Sequence, residues 1–142
     1  MPNANSANWN GPVSDPVKER LDSLRARLIL SAAVVSFQYH QEETVGDVGY
    51  FRVRCTLIDG SELQLIVRFR NVADVLAVEN YSSHWQRNDG TLICRWDNAP
   101  HHCDVTTFPH HLHEGATGGA EALAPVDAFV VLGEIERRLA VP

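Results

Sequence analysis

The stretch FRVRCTLIDGSELQLIVRF, residues 51–69, contains two alternating segments on either side of an Asp-Gly pair. Apolar and polar side chains alternate in both segments, which is the period of a strand with one buried face. The Asp59-Gly60 pair is a turn signal, so the stretch predicts an antiparallel hairpin.

The faces of the two strands predict the length of the loop between them. A two-residue loop at Asp59-Gly60 would set the apolar row of one strand beside the polar row of the next. We therefore expect a three-residue loop with Gly60 in the left-handed conformation of a bulge. The pairs expected on the shared apolar face are Leu57–Leu63, Cys55–Leu65, Val53–Val67 and Phe51–Phe69.

The same two-residue period extends the hairpin in both directions. Upstream, Val35, Phe37 and Tyr39 alternate with polar residues, and Gly46-Asp47 marks a turn. Downstream, residues 81–86 and 91–96 are predicted strands around Asp89-Gly90. Residues 71–79 have no clear period and are expected to be loop or weak helix.

The downstream hairpin predicts which side chains of its two strands lie on the same face of the sheet. With an even loop, Trp85 is predicted to face Cys94, and His84 is predicted to face Arg95. His84 then points away from the side that carries Trp85.

Helix signals lie at the two ends of the chain. Asp15-Pro16 is typical of an N-cap followed by proline at the first helical position, and the helix is expected to run to about residue 29. Its apolar face consists of Val17, Leu21, Leu24 and Leu28. Pro125 is expected to open a second helix with an apolar face of Val126, Phe129, Val130, Leu132, Ile135 and Leu139.

These elements predict an α+β fold: an antiparallel five-stranded meander with the N-terminal and C-terminal helices packed on one face. Residues 1–14 are rich in Asn, Ser and Pro and are expected to be a flexible tail. Residues 15–142 are expected to form a single domain.

Composition limits the classes of function. The chain has 142 residues and a net charge of −6, which gives no global reason to bind nucleic acid. It has no apolar run long enough to span a bilayer and no signal peptide, and its three cysteines are irregularly spaced, so we expect a cytoplasmic protein with reduced thiols. Eleven of the twelve basic residues are arginine, and six of them lie in the middle third, where they suit phosphate or carboxylate recognition.

The segment RWDNAPHHCDVTTFPHHLHE, residues 95–114, contains five of the seven histidines. It belongs to an aperiodic stretch, residues 97 to about 124, which is expected to be a long loop. In an extended backbone, His111 and His113 would point to the same side. We expect the loop to fold back across the arginine-bearing side of the sheet and bring rings, guanidinium and carboxylate together.

One chemistry that suits these residues is general acid–base catalysis. A neutral and a protonated imidazole can move protons at a ribose 2′-hydroxyl and a leaving 5′-oxygen, which is the reaction of a metal-independent ribonuclease without a cofactor. Arg95 would neutralise phosphate charge, and Asp97 would orient one imidazole. The candidate imidazoles are His84, His101, His102, His110 and His111.

Two other interpretations remain open. A metal site, most simply zinc, could use His101, His102, His110 and His113, although their spacing matches no standard zinc motif. The protein would then be a non-enzymatic metal-binding or interaction module that acts through a partner. The third interpretation is that the rings only bond to loop carbonyls. Cys103 beside the histidines is a weak sign of a nucleophile.

The stretches HWQRNDGTLICRWDNAPHH, residues 84–102, and TFPHHLHEG, residues 107–115, resemble the TumE family of small bacterial and archaeal toxins. The resemblance is strong from Tyr81 to Gly115, looser from Val34 to Phe69, and absent in the N-terminal tail. It implies a toxin that is neutralised by an antitoxin encoded beside it, usually a helix-turn-helix protein. It implies no particular toxic reaction and gives Cys103 no role.

A double substitution tests the paired histidines of this segment. Replacing His101 and His102 with alanine is expected to leave folding intact and to abolish growth arrest, because the acid–base chemistry needs titratable rings. The measurement is growth after induced expression, with folding checked by circular dichroism. Undiminished toxicity would remove the catalytic role of this pair.

Overall fold

The computed structural model describes residues 15–98, 109–116, 118–122 and 126–141. The predicted tail, residues 1–14, lies outside the described residues. The elements in chain order are α1 (Pro16–Leu30), β1 (Val34–Val45), β2 (Val48–Leu57), β3 (Glu62–Val72), β4 (Val75–Gln86), β5 (Leu92–Asp97), β6 (His111–Glu114), β7 (Ala120–Ala122) and α2 (Ala128–Arg138).

The strands form one antiparallel meander whose spatial order is the chain order, β1 to β7. The α+β class and the meander are confirmed, but the sheet has seven strands where five were predicted. The two additional strands, β6 and β7, lie in the segment that was expected to be loop. They have four and three residues, which is too short for alternation to be recognisable in the sequence.

The central hairpin confirms the predicted loop and corrects the predicted pairs. Leu57 N–H donates to Ser61 C=O over 2.9 Å, and Gly60 has a φ of 81°, so the loop has three residues with a left-handed glycine. Cys55 lies opposite Leu63, not Leu65, and the other expected pairs are wrong by the same two residues. A two-residue shift leaves every side chain on its face, so alternation alone cannot detect it.

Residues 71–79 are not loop or helix, as was expected. Strand β3 continues to Val72, and β4 begins at Val75. A two-residue turn joins them, with Ala73 and Asp74 at φ values of 50° and 63°. Most such turns contain glycine or asparagine, so Ala-Asp gave no turn signal in the sequence.

Register shifts occur in several strand pairs, among them β4–β5 and β1–β2. Trp85 lies opposite Cys94 and His84 opposite Arg95, as predicted, but the expected even loop is wrong. Arg87 and Thr91 close a three-residue loop, and a register shift between Trp85 and Gln86 restores the predicted pairing. A second shift between Val34 and Ser36 turns Val35 outward, where it is 66% exposed. The predicted inward position of Val35 is therefore wrong.

Both helices contribute to the core on one face of the sheet. Asp15 caps α1 as predicted, and all four predicted apolar residues of α1 are buried. Helix α2 begins at Ala128, because Asp127 is its N-cap and accepts from Val130 N–H. Pro125, the predicted start, lies outside the described residues, and Val130 is 55% exposed rather than part of the apolar face. Neither α1 nor α2 is long and apolar enough to cross a membrane.

Two glycines provide a matched test of this packing. A Cβ on buried Gly49 would lie 2.9 Å from Val17 Cγ1 and closer still to the Phe69 ring, whereas a Cβ on Gly133 in α2 would meet nothing within 4 Å. We expect Gly49→Ala to lower the free energy of unfolding by about 1–3 kcal/mol through overpacking. Gly133→Ala should raise it by about 0.5–1 kcal/mol through helix propensity. Urea denaturation measures both, and equal effects of the two substitutions would contradict the packing at Gly49.

Candidate active site on the polar face of the sheet

Strand β5 divides its side chains between the two faces of the sheet. Cys94 and Trp96 point into the core, where they are 0% and 4% exposed. Because side chains alternate along a strand, Arg95 and Asp97 point to the opposite face, called here the polar face. Strand β5 is paired on both sides, with β4 and β6. Arg95 and Asp97 therefore each have cross-strand neighbours on two strands.

The strand register places histidines on both sides of Arg95. His84 on β4 and His113 on β6 are the residues directly opposite Arg95. Since neighbouring strands are about 4.8 Å apart, the backbones of the two histidines are separated by roughly 10 Å. Arg95 lies between them. We call this arrangement the His84–Arg95–His113 row.

A second row, Ser82–Asp97–His111, has a deeply buried carboxylate at its centre. Asp97 has Ser82 and His111 as its cross-strand neighbours and is 1% exposed. Its Oδ1 lies 2.7 Å from His111 Nε2, and its Oδ2 lies 2.7 Å from Arg95 Nε. The contact with Arg95 is an ion pair rather than an aligned hydrogen bond. These two partners offset the cost of burying the charge.

His111 uses both ring nitrogens inside the protein. Its Nδ1 lies 2.8 Å from the carbonyl oxygen of Pro109, which can only accept, so Nδ1 carries a proton. Its Nε2 faces the Asp97 carboxylate. Both ring nitrogens of His111 therefore face oxygen atoms of the protein. The His111 side chain is 1% exposed, and its ring lies against the Asp97 carboxylate.

His113 joins this group as predicted from an extended backbone. Its ring lies perpendicular to that of His111 with centroids 4.9 Å apart. Ligand atoms of Asp97, His111 and His113 all lie within 4.8 Å of one another, a donor set that late transition metals accept. A metal bound through His111 Nε2 would have to break the 2.7 Å contact of that nitrogen with Asp97 Oδ1.

The other predicted residues lie in different surroundings. His84 is half-buried, and its Nε2 lies 3.1 Å from Gln86 Oε1; Gln86 Nε2 in turn donates to Glu62. His110 does not share the polar face with them, because its Nδ1 lies 2.9 Å from the hydroxyl of Tyr81, a residue of the core face. His101, His102 and Cys103 lie outside the described residues.

Burial keeps one hydroxyl and two thiols of the core protonated. It raises the pKa of Tyr81 to about 12, so the hydroxyl that lies 2.9 Å from His110 Nδ1 stays protonated at neutral pH. Burial also raises the pKa of the Cys55 and Cys94 thiols to about 12. Neither of these two thiols is therefore suited to act as a nucleophile.

The structure adds residues that the sequence interpretation did not single out. His113 was considered only as a metal ligand, although it is the cross-strand partner of Arg95. Gln64 and Arg54 continue the same row on β3 and β2. The only sequence signal for Gln64 and Arg54 is their polar position in the alternation of β3 and β2. The predicted register of these two strands was wrong by two residues, so it did not place Gln64 opposite Arg54.

A substitution at Asp97 tests whether the buried carboxylate organises this site. Asp97→Ala leaves His111 and Arg95 without their partner, so we expect the free energy of unfolding to fall by about 3–5 kcal/mol. Asp22→Ala, on the exposed side of α1, should change it by less than about 0.5 kcal/mol. Chemical denaturation of both variants checks this, and a loss below about 1 kcal/mol for Asp97→Ala would contradict the assignment.

Comparison with known proteins gives one family. The family described as Toxin TumE matches residues 24–139, which include every strand, α2 and the whole of both rows. Searches of curated proteins and of solved structures find no match. A toxin family implies an antitoxin partner. The chain belongs to the TumE toxin family.

Proposed function

We propose that this protein is the toxin of a toxin–antitoxin pair and that it arrests growth in the cytoplasm by cleaving RNA without a metal ion. The observation that carries the proposal is the His84–Arg95–His113 row, in which a guanidinium lies between two imidazoles on one face of the sheet. Arginine suits phosphate recognition, and histidine is the side chain that most readily takes and returns a proton near neutral pH.

The proposed reaction places the scissile phosphate on Arg95. One neutral imidazole removes the proton from the ribose 2′-hydroxyl, and O2′ attacks phosphorus. The bond from phosphorus to O5′ breaks, and the second imidazole, which begins protonated, gives its proton to O5′. The products are a 2′,3′-cyclic phosphate and a free 5′-hydroxyl. One imidazole gains a proton and the other loses one, so the step balances.

The surroundings of His84 suit the role of base. Because its Nε2–H donates to the Gln86 carbonyl oxygen, Nδ1 is the nitrogen that carries the lone pair. The amide of Gln86 is held in turn by the Glu62 carboxylate, which favours the protonated ring that forms during the step. His113, on the other side of Arg95, is then the acid.

Asp97 and His111 are positioning residues in this proposal. Each is 1% exposed and cannot touch RNA, but together they hold the Arg95 guanidinium and lie against His113. His111 therefore has a supporting role here instead of the catalytic one first considered. His101 and His102 remain candidates from the sequence, and His110 is assigned to the packing around Tyr81.

A second candidate function is a non-enzymatic, metal-loaded module that acts through a partner protein. The grouping of Asp97, His111 and His113 within 4.8 Å favours it. The hydrogen bonds at both His111 nitrogens count against it, because a metal must break one of them. Cleavage of RNA in excess chelator supports the acid–base site, whereas stoichiometric zinc that survives dialysis supports the metal site.

The partner proposed from the family resemblance is a helix-turn-helix antitoxin. A short helix-turn-helix reading frame next to this gene, whose product restores growth when both are expressed, would support it. Co-purification of the two products provides the direct measurement. A neighbouring product that binds but leaves growth arrested would argue against its being the antitoxin.

Single substitutions in the row test the proposed reaction. His84→Ala and His113→Ala are each expected to lower the rate of RNA cleavage by roughly 100- to 10,000-fold, because each removes one proton transfer. His40→Ala, an exposed histidine of β1, is the matched control and should retain the full rate.

The pH dependence of the cleavage rate separates loss of chemistry from loss of folding. The unmodified protein should show a rate that falls at both low and high pH, and His84→Ala should lose the fall on the acidic side, where the base is protonated. Cleavage that keeps its rate in both row variants would exclude the proposed pair.

A further inference from the structure

A depression of about 290 Å³ lies beside Arg95 on the polar face. Its lining consists of Arg54, Gln64, Ile66, Ser82, His84 and Arg95, together with Gln86 and the Glu62 carboxylate to which Gln86 donates. A concave site with a few polar groups around it is the usual form of a small-ligand or nucleotide subsite. Because Arg95 and His84 belong both to the depression and to the row, any ligand seated here reaches the proposed reaction centre.

The two guanidiniums lie at opposite ends of the depression. Arg54 is opposite Gln64, Gln64 is opposite His84, and His84 is opposite Arg95. Three strand spacings separate the two arginine backbones, which is roughly 14 Å. A nucleoside between them would have one flanking phosphate near Arg95 and the other near Arg54.

Arg54 on β2 differs from the arginines of the neighbouring strand β3 in having no ion-pair partner among the described residues. Arg68 and Arg70 share the Glu79 carboxylate, with contacts of 2.9 and 2.6 Å. Arg54 is exposed and has no carboxylate within ion-pair distance in the part of the chain that the structure describes. Its charge is thus available to an anion from solution, even though the protein as a whole is acidic.

The rest of the depression suits an unstacked base. Ile66 is an apolar residue among polar neighbours and can contact the face of a ring, whereas Gln64 and Ser82 provide hydrogen-bonding groups for its edge. In a duplex, the face of a base is stacked on its neighbours and its edge is paired with the other strand. Only a single strand can therefore place a base in the depression.

We infer that the depression binds one nucleotide of single-stranded RNA, with its neighbouring phosphates on Arg95 and Arg54. This inference rests on the proposed function for the position of the scissile phosphate at Arg95. It makes Arg54 a substrate-binding residue, two strands away from the proposed base His84.

Binding of an uncleavable strand tests the site. The probe is a short, fluorescently labelled single strand with 2′-deoxyribose throughout, which lacks the attacking hydroxyl, and its Kd is measured by anisotropy at several KCl concentrations. Loss of one phosphate contact should lower the slope of log affinity against log salt by about 0.7 and weaken binding about tenfold. We expect this for Arg54→Gln, but not for Arg54→Lys, which keeps the charge.

A matched control removes the same charge from the other side of the molecule. Arg20→Gln, on α1, should leave both the affinity and the salt slope unchanged. A duplex of the same sequence should bind the unmodified protein at least about tenfold more weakly than the single strand, because it offers no unstacked base. Circular dichroism confirms that each variant is folded, which is expected because Arg54 is exposed.

The outcomes separate this inference from the proposed reaction. Arg54→Gln with unchanged affinity and salt slope overturns the subsite, even if unmodified RNA is cleaved. Equal affinity for the duplex also overturns it. Arg54-dependent binding of the single strand, combined with intact RNA after incubation, supports the subsite as a binding site and overturns the reaction proposed at Arg95.

Discussion

The Asp97 carboxylate is the constraint on which the polar face depends. It is buried to 1% exposure, and a buried charge costs several kcal/mol unless other groups compensate it. Arg95 comes from the same strand, two residues away, and His111 comes from β6. The pairing of β6 with β5 therefore provides more than backbone hydrogen bonds, because it brings His111 to the charge that β5 buries.

The environment of each histidine, rather than its place in the sequence, determines what it can do. His111 has both nitrogens engaged inside the protein, and His110 stacks on Tyr81 with ring centroids 5.7 Å apart. His84 and His113 are half-buried on either side of Arg95. The described histidines of the cluster thus have three different surroundings, and the proposed reaction uses one of them, His113, together with His84 from β4.

The proposed phosphate recognition, on a protein of net charge −6, depends on the local arrangement of arginines. Many of the arginines are neutralised by nearby carboxylates, as in the Arg27–Glu136 and Arg138–Glu114 pairs between elements. The first pair joins α1 to α2, and the second joins α2 to β6. Arg54 lacks such a partner among the described residues, and the one carboxylate that lines the depression, Glu62, accepts a hydrogen bond from Gln86.

The sequence by itself determined the elements whose signals are local. The Asp15-Pro16 cap and its four apolar residues identify α1, and strict alternation with Gly60 identifies the central hairpin, because capping, turn chemistry and period act over a few residues. Only the tertiary structure decided the register of that hairpin, the existence of β6 and β7, and the pairing that brings His111 and His113 beside Asp97 and Arg95. These depend on pairing between distant residues, and a shift of two residues or a four-residue strand leaves no mark in a local pattern.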